Sequence, residues 1–166
     1  MQKLTCFLLA CLGFAMGGCE DNSPTSKVGL ETRFELLVGD KAVQMRIACT
    51  PEERQQGLMY VESMSEHEGM LFLARQPEPH GFWMKNTLIP LDIGYFTSDG
   101  VLREIHPMYP RNLDSVKSRR KDIRYALEMN QGWYRKNGIA PGAKLNLKAV
   151  AAAIRARGHN PAAWID

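Results

Sequence analysis

Leu91-Asp92-Ile93-Gly94-Tyr95-Phe96-Thr97-Ser98-Asp99-Gly100-Val101-Leu102-Arg103-Glu104-Ile105 is a pair of apolar runs around a short polar turn. Ile, Val, Tyr and Phe suit a pleated surface, and Asp99-Gly100 supplies the positive backbone angles of a tight turn, so the stretch predicts a β-hairpin. The same logic extends outward. Phe34, Leu36 and Val38 recur with a period of two, Gly39-Asp40 turns, and Val43, Met45, Ile47 and Cys49 resume the period, which predicts an opening hairpin. Met70 to Leu73, Ile123 to Met129 and Lys144 to Leu147 predict further short strands. Such a chain is strand-rich.

Helical signals are fewer. Thr50-Pro51-Glu52-Glu53 combines a capping hydroxyl, a proline with no amide to lose and an acidic first turn, so a helix is expected from there to about Gly57 or Met59. Gln131 to Asn137 predicts a short helix closed by Gly138. Val150, Ala153 and Ile154 share one face of a last helix that Gly158 stops, with Lys148, Arg155 and Arg157 expected on its solvated side. The class is therefore α+β.

The first 18 residues are read separately: Met1-Gln2-Lys3, an apolar run from Leu4 to Met16, and Gly17-Gly18 before Cys19 form the pattern of an export signal. The apolar run is shorter than the roughly 20 residues that a spanning helix needs. Met16-Gly17-Gly18-Cys19 resembles the bacterial lipobox, in which the Cys is acylated and becomes the first mature residue. That resemblance implies a lipid-anchored chain on the periplasmic face of the cell envelope, with the membrane as partner through Cys19. Residues 19–31 then serve as lipidated Cys and flexible tether, 32–147 as a single globular domain and 148–166 as a C-terminal helical extension. Cleavage removes Cys6 and Cys11, so Cys49 is left as the sole thiol and is expected in the core.

Composition narrows the function. A chain of 166 residues with 45% apolar and 23% charged side chains builds one ordinary core. Its 21 basic and 18 acidic residues leave a net charge of +3, too even a balance for the field of a nucleic-acid binder.

Glu53-Arg54-Gln55-Gln56-Gly57-Leu58-Met59, Glu68-Gly69-Met70-Leu71-Phe72 and above all Phe82-Trp83-Met84-Lys85-Asn86-Thr87-Leu88-Ile89-Pro90-Leu91-Asp92-Ile93 resemble the domain of unknown function 192 family. Ala126-Leu127-Glu128, Gly132, Gly138-Ile139 and Gly142 are similar to its closing segments, and Val61 stands where the family often has Arg. The resemblance covers about residues 32–147. It implies a compact, often exported α+β domain shaped as a small mixed or antiparallel, partly closed β-barrel, and it carries no assigned activity.

Two readings of the polar residues compete. Trp83, Lys85 and Asn86, with Arg54, would form a wall that receives a flat or anionic envelope ligand, or a protein partner; alternatively, Phe82 and Met84 pack inward and the polar residues satisfy loop carbonyls. Asp92 and Glu128 would be the acid and base of an envelope hydrolase acting on a polar or glycan-like substrate, if they face each other; alternatively, Arg54 and Lys85 hold them in structural ion pairs. Met59, Met64, Met70 and Met84, with His67, His80 and His106, match no ligand spacing, so neither metal nor cofactor is expected.

Overall fold

The computed structural model describes residues 28–165. Its strands are β1 (Phe34–Val38), β2 (Lys41–Ala48), β3 (Glu68–Glu78), β4 (Gly81–Phe82), β5 (Leu91–Thr97), β6 (Leu102–Met108), β7 (Val116–Lys117) and β8 (Ile123–Asn130). Its helices are α1 (Pro51–Gln56), α2 (Trp133–Lys136) and α3 (Leu147–Ala156), followed by a 3-10 turn at Pro161–Ala163. Six strands form one mixed sheet in the order β1-β2-β3-β8-β5-β6, and β4 pairs with β7 in a separate ribbon. Only β2 and β3 run parallel, which requires a crossover, and α1 lies in it.

The capping box at the start of α1 forms as its residue types dictate: the Thr50 hydroxyl accepts from the Glu53 amide, and the Glu53 carboxylate accepts from the Thr50 amide. The expected hairpins are present as β1–β2 and β5–β6.

Both faces of the sheet are buried. Opposed residues in a ladder share a face, and neighbours along a strand take opposite ones. The row Leu71, Leu127, Gly94 therefore belongs to one face, and the row Met70, Glu128, Ile93 to the other. Trp133 and Tyr134 of α2, Val150 and Ile154 of α3 and Trp164 cover the first face. Leu58 and Met84, with Ile89 and Val116 packed beside them, cover the second. This double burial makes β8 a nearly continuous buried run instead of an alternating one. Gly94 is where α2 comes closest: a Cβ there would lie 2.5 Å from the Tyr134 hydroxyl, which instead donates to the Leu127 carbonyl.

Four expectations change. The sheet is not closed into a barrel; its edges meet at one place, where Leu145 bridges to Val38 and Lys144 to Val101. The last strand shrinks to those two bridges because Leu147 already opens α3. β3 runs on to Glu78 across an irregularity that begins at Leu73. Arg157 is not solvated: its side chain is 4% exposed, donates to the Ile47 carbonyl at 2.6 Å and pairs with Glu53, because the chain turns inward after α3.

Candidate functional site

Glu128 is the centre of the site. It sits on β8 between Met70 of β3 and Ile93 of β5, so its side chain enters the apolar second face. It is 5% exposed and makes no hydrogen bond or ion pair among the described residues. Burial pushes its carboxyl up to about 8, so at neutral pH it is a neutral acid with a proton to donate.

A narrow cleft opens above it. Arg54 from the end of α1, Trp83, Lys85 and Thr87 from the segment after β4, and Phe72 from β3 line it with Glu128. Its volume, about 30 Å³, admits one small polar group. A cavity of about 340 Å³ adjoins it, sharing Arg54, Phe72 and Phe82 and adding Arg75, Glu78 and His80 along the irregular part of β3. Burial lowers the His80 imidazole below its ordinary value, and its Nε2 lies 3.2 Å from the Ile123 carbonyl.

The rim is cationic and aromatic. The Lys85 ammonium stands over the Trp83 ring, 5.2 Å from its centroid. Neither Lys85 nor Arg54 forms an ion pair among the described residues. Trp83 is 47% exposed, whereas Met84 is 1% exposed and Phe82 stacks edge-on against Phe72. The period of two thus sends Met84 to the core and Trp83 and Lys85 to the cleft.

Asn86 has a different task. It holds a left-handed backbone (φ 55°), donates from Nδ2 to the Tyr60 hydroxyl at 2.8 Å and accepts the Tyr60 amide at its carbonyl. Tyr60 and Arg111 also have positive φ, and the Arg111 amide donates to the Thr87 carbonyl. Three unfavourable conformations, in loops bonded to one another, fix the mouth of the cleft.

Asp92 is not in the cleft. Its row, Gly69, Met129, Asp92, follows that of Glu128, so the two carboxylates point to opposite faces of the sheet. Asp92 accepts the Gly132 amide at 2.7 Å, before α2. Burial raises its pKa, and the Gly132 bond and Arg135 partly oppose that. The facing pair required by the two-carboxylate mechanism therefore does not form. Among the described residues no three His, Cys, Asp or Glu side chains gather to hold a metal ion. Met70 and Met84 pack in the core, and His67 faces the Trp133 indole nitrogen at 3.1 Å. Cys19 lies outside the described residues.

A neutral acid below, two unpaired cations at the rim and an indole face together suit an oxyanion: the acid donates one hydrogen bond and the cations supply charge. No Ser or Cys lines the cleft to act as nucleophile. The sequence signal for Glu128 was its place as an acid inside an apolar strand; the part taken by Thr87 and Phe72 had no comparable signal.

Two solved structures are similar to this chain. One, from Sinorhizobium meliloti 1021 and described as a candidate transcription regulator, is 36% identical, with a TM-score of 0.63, covering 69% of this chain and 91% of its own. The other, a protein of unknown function from Novosphingobium aromaticivorans DSM 12444, is 30% identical, with a TM-score of 0.64, covering 68% and 83%. No curated protein matches. The family model described as DUF192, uncharacterized ACR, COG1430, matches residues 34–147, which takes in every strand and the whole cleft, and the chain belongs to that family.

Proposed function

We propose that this protein is a non-enzymatic binding domain of the cell envelope, tethered to the membrane by a lipid on Cys19, and that its cleft takes the anionic end of a polar ligand. The observation that carries the reading is Glu128, a buried carboxyl with no partner among the described residues beneath two unpaired cations. A ligand oxygen that accepts a hydrogen bond from the Glu128 hydroxyl satisfies that donor without ionising it. Hydrolysis through Asp92 and Glu128 has no support in this arrangement, since the sheet lies between them.

The test has two arms. In a Gram-negative host the chain should incorporate labelled fatty acid and partition into detergent, and Cys19→Ser should abolish both; labelling that survives the substitution refutes the anchor. Acetate and methyl phosphate, titrated into the purified protein, should shift the emission of Trp83 saturably. Lys85→Met should weaken that response about tenfold, the loss of one charge-assisted contact. Ligand-induced shifts should also fade above about pH 8 as Glu128 ionises. Equal responses in wild type and Lys85→Met would sink the cleft reading.

A further inference from the structure

Tyr60, Trp83, Leu88, Tyr109 and Leu113 stand out into solvent, with exposures from 36% to 70%. All five lie in three loops, those after α1, before β5 and after β6. Those loops are tied together: the Tyr60 amide donates to the Asn86 carbonyl, the Met84 amide to Asn112 and the Arg111 amide to Thr87. Trp83 sits between the Phe82–Val116 pair and the Met84–Asn112 bond, next to the turn that carries Leu113. The loops after α1 and before β5 pack over the second face of the sheet through Leu58, Val61, Met84 and Ile89, and Met108 and Val116, which flank the loop after β6, belong to the same core.

The chain enters the domain on that same side. Leu30 packs against the second-face core, and Glu31 pairs with Arg46, the partner of Met70 on that face. Val28 follows Cys19 by nine steps of the chain. A segment of that length cannot exceed about 32 Å. A domain of this size is about 36 Å across, so a membrane-bound Cys19 keeps the second-face side nearest the lipid.

We infer that Tyr60, Trp83, Leu88, Tyr109 and Leu113 dock on the lipid surface that holds Cys19, orienting the domain with its cleft mouth at the membrane. This rests on the lipid anchoring proposed above. Trp and Tyr favour the interface between headgroups and acyl chains, and Leu favours the chains below. Exposed Lys85 and Arg111 lie there beside exposed Glu62 and Asp114, so apolar insertion and not net charge drives the contact, and a neutral bilayer suffices.

The full-length lipidated protein, reconstituted in phosphatidylcholine vesicles with brominated acyl chains, tests this. Trp133 and Trp164 are buried, so bromine quenching reads Trp83. The expected result is co-flotation with the vesicles and a loss of Trp83 emission that the double variant Leu88→Asp, Leu113→Asp largely reverses. Both residues are exposed, so the variant should keep the wild-type melting temperature. Co-flotation without quenching, or quenching unchanged in the variant, overturns the docking while leaving the anchor intact. Failure to float refutes the anchor, and the docking with it. Capture of a protein by this surface without quenching would assign it to that partner and overturn the lipid.

Discussion

At the scale of the residue, Glu128 shows how one position departs from its surroundings. Its two neighbours across the ladder, Met70 and Ile93, are apolar, and the carboxyl is tolerated between them because it stays protonated. The folded chain therefore holds a proton that the unfolded chain releases above its ordinary value of 4.5. Stability is fullest below that value, falls as pH rises to about 8 and is level beyond. Glu128→Gln keeps the shape and a donor without the ionisation. Its melting temperature should match wild type near pH 4.5 and exceed it at pH 8, by a margin worth about 2 kcal/mol or more. Paired melts across that range check it, and a constant difference between the two proteins would mean that Glu128 ionises freely.

At the scale of the element, a concentrated polar interaction joins α1 to the turn after α3. The Glu53 carboxylate accepts the Cys49 amide at 2.8 Å and the Thr50 amide at 3.1 Å, and also pairs with Arg157, which reaches on to the Ile47 carbonyl. Burial alone would raise the Glu53 pKa, but these donors outweigh it and leave the value lowered. Arg157→Ala strands a half-buried carboxylate and an unpaired carbonyl, and should cost about 3 kcal/mol, the lower part of the range for a broken buried pair. The loss should be greatest at neutral pH and shrink on acidification, as Glu53 becomes neutral. Chemical denaturation at two pH values measures it, and a cost below 1 kcal/mol would place the pair among ordinary surface bridges.

At the scale of the whole molecule, the two cores share one sheet, so neither opens without the other. Cys49 tests this: it is 4% exposed in the first-face core, and burial pushes its thiol up to about 11. Labelling by a thiol reagent at pH 8 should follow global unfolding, slow in native buffer and rapid in denaturant, and prompt native labelling would reveal local opening at the α1 junction. The same scale separates what was legible from what was not. The hairpins, the α1 cap and the buried face of α3 are local facts, written in residues within a few positions of one another, and the sequence by itself determined them. Arg54, Trp83 and Lys85 were also legible as candidates for a binding wall, and Glu128 as an acid set in an apolar strand. Their meeting was not. Whether Asp92 faces Glu128 depends on the register of β5 against β8, and a shift of one residue reverses it. The open sheet, the two-residue strands β4 and β7 and the reach of Arg157 to Glu53, 104 positions away, likewise have no local signature. Only the tertiary structure decided them, because a ladder register and a buried ion pair are set by the packing of distant segments, each of which alone would accept several partners.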